Sequence, residues 1–200
     1  MITGWGAHHL DIAHWGMGTE YSGPTEVEGT GKFPESGLWN VHLDYDIHYT
    51  YANGVHMHVC NKYPNGVKFI GEDGWIFVSR GNAKVTDSDP GSDAPMAASF
   101  KASDPKILQY DIGPNGIKLY ESPEHHLNWL ECIRSRRQPI TPAEVAHRSC
   151  SACLLGHIAM KLPQKLYWNP KAERFINDPE ANAMLSRPGR APYGIEHIQM

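Results

Sequence analysis

The sequence predicts an α+β fold, with an open, mostly antiparallel β-sheet and helices packed on one face. Between residues 39 and 78, apolar and polar residues alternate with a period of two, and short turns containing Gly and Asn interrupt them. Two later segments carry apolar residues at helical spacing. Strand and helix patterns do not alternate as they do around a parallel sheet. A chain of 200 residues can bury a core of its own, so residues 1–200 are expected to form a single domain.

The first half of the chain begins with a predicted helix from about Gly6 to Met17. Gly16 and Gly18 are the residues predicted to close this helix. The segment EVEGTGKF is predicted to be extended. Residues 41–51 are predicted to form a strand with one apolar and one polar face. The apolar face would comprise Val41, Leu43, Tyr45, Ile47, Tyr49 and Tyr51. The polar face would comprise His42, Asp44, Asp46, His48 and Thr50.

The same meander is predicted to continue through VHMHV, VKFIG and WIFVSRG. Residues 86–105 are expected to be a loop with one short strand, and ILQYDIGPNGIKLYES to hold a hairpin or two short strands.

The second half is predicted to be mostly helical. One helix would cover about residues 123–137, and another would follow the cap-like Thr141–Glu144. Apolar positions of the first are Leu127, Trp129, Leu130, Cys132 and Ile133. KLYWNP and RFIND are predicted to be closing strands, residues 179–185 a short helix, and residues 186–200 a surface tail.

Composition argues against several classes of function. The net charge of −4 implies no basic face for nucleic acid. The sequence contains no run of about 18 apolar residues, so no membrane span is predicted. The N-terminus has no signal-peptide pattern, which favours a cytoplasmic location and leaves an upstream signal open. Cys150 and Cys153 lie inside a helical pattern, so small buried residues are favoured over a redox or zinc pair.

The stretch GWGAHHLDIAHWG, residues 4–16, concentrates titratable and aromatic side chains at the start of a helix. His8, Asp11 and Trp15 fall on one helical face. A histidine in the first turn can exchange a proton near neutral pH, and Asp11 would orient it. Gly6 lets a ligand approach the backbone closely. The alternative is an ordinary capped helix whose histidine is satisfied by packing.

This stretch closely resembles D-x-G-x-H-x-x-D-x-x-x-W, which opens the main helix of the C-terminal domain in the Gfo/Idh/MocA oxidoreductases, the family of glucose–fructose oxidoreductase and inositol dehydrogenase. Gly6, His8, Asp11 and Trp15 stand at the matching positions. NGVKFIGEDGWIFVSRG is similar to the family's hairpin before its central loop. The segment from His125 to Leu162 is similar to its two late helices, and LSRPGRAPY to the C-terminal ending of one bacterial branch.

The resemblance implies the substrate-binding half of an NAD- or NADP-dependent dehydrogenase acting on a sugar or cyclitol. The cofactor would be bound mainly by a Rossmann domain that is absent from this chain, so these 200 residues alone are expected to be inactive. His8 would move the hydroxyl proton, and Trp5, His9 and Asp11 would line or support the pocket. The family's aspartate four residues before the histidine is Gly4 here. The resemblance also implies a homo-oligomer, a dimer or tetramer, that pairs through the open sheet face.

Other histidines leave further interpretations open. His126 is a candidate substrate-binding residue, because His125 and His126 open a helix that would face the cleft of His8; capping or packing is the alternative. The twelve histidines include His42, His48, His56 and His58, which with Asp44 or Asp46 would suit zinc or another divalent ion if they share a sheet face. The alternative is a polar, solvated or subunit-facing surface. A non-catalytic binding or scaffold module and a metal-dependent enzyme therefore stand beside the dehydrogenase interpretation.

Overall fold

The computed structural model describes residues 2–79 and 100–194, and within them two antiparallel sheets and five helices. In chain order the elements are α1 (Trp5–Met17), β1 (Pro24–Gly31), β2 (Tyr45–Tyr51), β3 (His56–Cys60), β4 (Val67–Gly71), β5 (Gly74–Val78), β6 (Phe100–Ala102), α2 (Pro105–Leu108), α3 (His125–Ser135), α4 (Ala143–Ala159), β7 (Leu166–Asn169), β8 (Arg174–Phe175) and α5 (Pro179–Ala183). The larger sheet has the order β3-β2-β1-β7-β8, and the smaller β4-β5-β6. The predicted α+β class is confirmed.

The core lies between the larger sheet and α4. Val27 on β1 and Ile47 and Tyr49 on β2 are at most 1% exposed and alternate with polar neighbours. Ala152 and Gly156 let α4 approach the sheet, and the hydroxyl of Tyr49 donates a hydrogen bond to the carbonyl oxygen of Ala152 at 3.1 Å. The helix and the sheet therefore meet through small residues on one side and an aromatic ring on the other.

The opposite face of the same sheet, which we call the open face, is polar. Its side chains on β1, β2 and β3 are exposed or half-buried: Glu26, Glu28, Thr30, Asp46, His48, Thr50, His56, His58 and Cys60. The antiparallel register brings them together, since Glu28, His48 and His58 are neighbours across three strands. The alternation predicted for the second half of the 41–51 segment is thus confirmed.

The first half of that segment differs from the prediction. Regular pairing begins only at Tyr45, and residues 41–44 are held beside β1 by backbone hydrogen bonds of Lys32 with Leu43 and Asp44. Leu43 is 60% exposed, whereas His42 is 6% exposed and contacts the ring of Phe33. The prediction that His42 shares a face with His48 is wrong, because a period-two rule holds only while the strand is unbroken.

Two other predicted features are also different. The 107–122 segment contains no hairpin: α2 extends into it, capped by Asp104, whose side chain accepts the amide of Lys106, and residues 109–124 are irregular. β4 and β5 form the predicted hairpin, but it joins β6 in a separate sheet rather than extending the meander. The short strand expected within residues 86–105 is β6, while residues 80–99 lie outside the described residues.

Helix α3 is present where predicted, but its apolar positions are not buried. Trp129 is 61% exposed and Leu127 is 51% exposed. The residue that anchors the helix is Asn128, which is 7% exposed, donates to the hydroxyl of Tyr120 and accepts the amide of Ile140. Amphipathic spacing predicted the helix correctly, but not which side would be covered.

Strands β7 and β8 and helix α5 lie where two closing strands and a short helix were predicted. Residues 186–193 of the predicted tail are exposed, and residues 195–200 lie outside the described residues. Within residues 2–79 and 100–194, no helix combines the length and apolar character needed to cross a bilayer.

Candidate functional site

The N-terminal turn of α1 presents an aromatic and imidazole group. Gly4 occupies the N-cap position, where it offers no side-chain hydrogen bond. Trp5 lies one helical turn before His9, and their rings stack with centres 5.5 Å apart; the ring of His8 is 5.8 Å from that of Trp5. Trp5, His8 and His9 therefore form one cluster at the helix start.

A pocket of about 240 Å³ opens between α1 and the start of α4. His8 and Asp11 line it from α1, and both are half-buried. Its other lining residues are Ala7, Ile12, Thr141, Ala146, Ser149 and Cys150. The structure thus brings together two residues that the sequence motif predicted. His8 borders an accessible cleft, which is the position that proton exchange with a ligand requires.

Asp11 is fixed by a residue far away in the sequence. The hydroxyl of Ser149, which is 3% exposed, donates a hydrogen bond of 2.7 Å to Oδ1 of Asp11. This bond crosses from α4 to α1 and holds the carboxylate at the wall of the pocket. Sequence reasoning missed Ser149 and Thr141, and no local pattern reveals that a serine inside a late helix faces the first one. Orientation of His8 by Asp11 stays a prediction.

The third histidine of the motif, His14, is part of the core. It is 0% exposed, and its Nε2 is 2.7 Å from the hydroxyl oxygen of Tyr51 on β2. Burial lowers its pKa to about 4, although the nearby charge of Asp11 acts in the opposite direction. His14 is therefore a neutral structural residue at physiological pH, and the motif divides into a pocket histidine and a core histidine.

Acidification is expected to destabilise the fold through His14. The unfolded chain binds this proton near pH 6.5 and the folded chain only near pH 4, so the stabilisation is complete above pH 6.5 and is lost as the pH falls toward 4, by about 3 kcal/mol. Urea unfolding between pH 4 and 7 measures the slope. His14→Gln is expected to flatten it, leaving the smaller contribution of His42 and His157, whose pKa values burial also lowers. An unchanged slope in His14→Gln would contradict the assignment.

The remaining predicted site residue, His126, lies apart from the pocket lining. It opens α3, with its Nδ1 2.9 Å from Oε1 of Glu124, and its side chain is 76% exposed. Its role in binding substrate stays a prediction. The two cysteines of the Cys150–Cys153 segment are both free. Cys153 is buried, and Cys150 is exposed at the pocket.

A second group of side chains, which we call the histidine–aspartate cluster, lies on the open face. It consists of Asp46, His48 and His58, with Tyr63 at its edge. Oδ1 of Asp46 is 2.9 Å from Nε2 of His48 and 3.0 Å from Nε2 of His58. His56 shares the face, and its Nδ1 is 3.2 Å from the hydroxyl oxygen of Thr50. His42 belongs to the core and cannot contribute to this group.

Residues 2–79 and 100–194 do not fit a dinucleotide site. Such a site needs a glycine-rich turn between a parallel strand and a helix. The nearest sequence feature, Gly29 and Gly31, lies within β1, where Gly31 packs against Met160. Every strand pair in the described ranges is antiparallel.

Comparison with known proteins gives a family and a set of similar folds. Residues 2–195 match the family model described as oxidoreductase family, C-terminal alpha/beta domain. The structure is similar to an aldose-aldose oxidoreductase from Caulobacter crescentus complexed with glycerol (TM-score 0.52, 17% identity, covering 81% of this chain and 45% of that one). It is also similar to an oxidoreductase from Agrobacterium radiobacter in complex with NAD+, L-tartaric acid and magnesium (TM-score 0.51, 14% identity, 84% and 48%). The chain therefore spans about half the length of these proteins. No curated protein sequence matches it.

Proposed function

Because the chain belongs to the Gfo/Idh/MocA oxidoreductase family and corresponds to its C-terminal alpha/beta domain, we propose that it is the substrate-binding and oligomerisation part of an NAD(P)-dependent oxidoreductase that acts on a sugar or cyclitol hydroxyl. The observation that carries this proposal is the position of His8 beside Asp11 at an open pocket between α1 and α4. NAD or NADP would be held mainly by a domain outside these residues, and the chain alone would be inactive.

In this proposal the chain binds the hydroxyl compound and moves its proton. Oxidation of a secondary alcohol requires that the hydroxyl lose a proton as the carbon loses hydride, and a positioned imidazole accepts that proton. His8 has this role. The Asp11 carboxylate, held by Ser149, offers a fixed acceptor for a further substrate hydroxyl. Trp5 and His9 do not line the pocket themselves, but the ring of Trp5 contacts that of His8, so the stacked pair would support His8 in this role.

The chemistry of the pocket favours a neutral polyol. Hydroxyl and carboxylate groups of Thr141, Ser149 and Asp11 alternate with small apolar side chains around it. The similar Caulobacter structure is complexed with glycerol, a small polyol. Gly4 supplies no carboxylate where the family motif has one, so Asp11 is the acid nearest to His8 in the motif.

The open face would serve assembly in this proposal. Its polar side chains lie on a sheet whose other side is already packed on α4, so pairing of two copies would cover it. A homo-oligomer, dimer or tetramer, is the expected state, and sedimentation of the chain as a monomer at high concentration would contradict it.

A non-catalytic binding or scaffold module is the second candidate, and the observation that favours it is Gly4. Loss of the motif's carboxylate removes one of the groups that would hold the reacting hydroxyl, while leaving His8 and the pocket in place.

One set of measurements separates these two candidates. The complete gene product is mixed with aldoses and cyclitols and with NAD or NADP, while ligand binding and nicotinamide absorbance are followed. Cys150→Phe fills the pocket and is expected to weaken substrate binding tenfold or more; Leu154→Phe, one turn later, exposed and outside the pocket, is the matched control. Turnover supports the dehydrogenase, and binding without turnover supports the scaffold. Binding that Cys150→Phe leaves unchanged would contradict both.

A further inference from the structure

The histidine–aspartate cluster is brought together by strand geometry alone. Asp46 and His48 point to the same side because they are two residues apart on β2. His58 on β3 is the cross-strand partner of His48, and the two rings stack with centres 4.1 Å apart and an angle of 12° between planes. Two imidazoles and one carboxylate therefore converge without help from a loop.

The distances within the cluster are close to those between ligands of one metal ion. Asp46 Oδ1 is 2.9 Å and 3.0 Å from the two Nε2 atoms, and one donor atom from each residue lies within 4.8 Å of the others. Bonds of about 2.0–2.2 Å at tetrahedral angles place neighbouring ligands about 3.4 Å apart, a few tenths of an ångström more than the two distances to Asp46 Oδ1. One donor atom from each of the three residues could therefore reach a shared ion after small side-chain movements.

Tyr63 adds the contact that usually accompanies a metal-binding histidine. Its hydroxyl oxygen is 2.9 Å from Nδ1 of His58. If Nδ1–H donates to this oxygen, Nε2 of His58 keeps its lone pair and points toward Asp46.

We propose that Asp46, His48 and His58 bind a divalent transition-metal ion on the open face. Two imidazole nitrogens and one carboxylate oxygen suit Zn²⁺, and also Ni²⁺ and Cu²⁺, better than Mg²⁺ or Ca²⁺, which prefer oxygen ligands. In the single chain the three side chains are 32% to 55% exposed, so an ion can enter from solvent before two copies pair through this face. Three protein ligands leave coordination positions for water or an exogenous ligand.

A superficially similar group at the start of α3 lacks these properties. Glu124, His125 and His126 also lie close together, but the Glu124 carboxylate already accepts the backbone amides of His126 and Leu127 as the helix cap. Its chemistry is explained by capping, so it serves as an internal comparison.

Calorimetric titration of the full chain with Zn²⁺ tests the proposal. We expect one ion per chain, with binding abolished in Asp46→Asn/His58→Gln and weakened about tenfold in Tyr63→Phe. His56→Gln, on the same face, and His126→Gln are matched controls and are expected to bind like the unmodified chain. NMR of the histidine ring nitrogens should report Zn²⁺ at His48 and His58 Nε2.

Two results would contradict the proposed metal site. No binding by the unmodified chain, or equal binding by the cluster variant and the controls, excludes it. This test does not depend on the pocket at His8, so its failure leaves the proposed oxidoreductase role untouched, and failure of that role leaves the metal site untouched. Circular dichroism of each variant distinguishes loss of a ligand from loss of the fold.

Discussion

Replacing Gly156 with alanine is expected to lower the free energy of unfolding by about 3 kcal/mol. The added methyl group would overlap the hydroxyl of Tyr49 and lie 3.1 Å from Cδ1 of Ile47. Both of these residues are at most 1% exposed, so neither can move aside cheaply. Without this overlap, alanine would stabilise a helix relative to glycine by about 1 kcal/mol. A loss of stability would therefore be evidence for the close contact between α4 and Tyr49.

Tyr49→Phe provides the matching half of a double-mutant cycle. Alone, it removes the hydrogen bond to the carbonyl of Ala152 and is expected to cost about 1 kcal/mol. In the Gly156→Ala background it also removes the overlapping oxygen, so the double variant should be more stable than the sum of the two effects predicts. Urea unfolding measures all four proteins. A stabilised Gly156→Ala, or strict additivity, would show that α4 does not rest on Tyr49.

The sequence predicts local elements well where their signals are themselves local. The alternation that ends at Tyr51 and the helical spacing around Cys153 identify β2 and α4. The errors arise where tertiary contacts decide. His42 turns inward because residues 41–44 leave regular strand geometry. Asp104 with Pro105 starts a helix that runs into the segment where turn residues predicted a hairpin or two short strands.

The residues of the candidate site also divide into those marked by local sequence signals and those placed by tertiary contacts. His8 and Asp11 were predictable because the motif places them one turn apart. Ser149 was not, since its hydrogen bond to Asp11 joins residues 138 positions apart. On the open face, alternation alone favoured a solvated or subunit-facing surface over a metal site, and the register that pairs His48 with His58 is what brings their side chains together.

In the complete gene product, His8→Asn is expected to lower kcat by about 10²–10⁴, with a much smaller change in KM. Asparagine retains polarity and approximate size at the pocket but cannot accept the proton of a reacting hydroxyl. The loss should therefore appear in the chemical step rather than in binding. Steady-state kinetics on the polyol identified by the substrate screen measures both parameters.

His147→Gln is the matched control, because His147 lies on α4 outside the pocket and pairs with Glu173 at 2.6 Å. It should leave kcat unchanged. Asp11→Asn tests the positioning role: if Asp11 only anchors α1 through Ser149, its loss lowers stability and leaves the pH profile of kcat unaltered, whereas an orienting carboxylate also shifts that profile. A His8→Asn enzyme with undiminished kcat would remove proton transfer from this pocket and leave it a binding surface alone. The chemistry of the family would then have to be supplied by residues other than those that the N-terminal motif brings together.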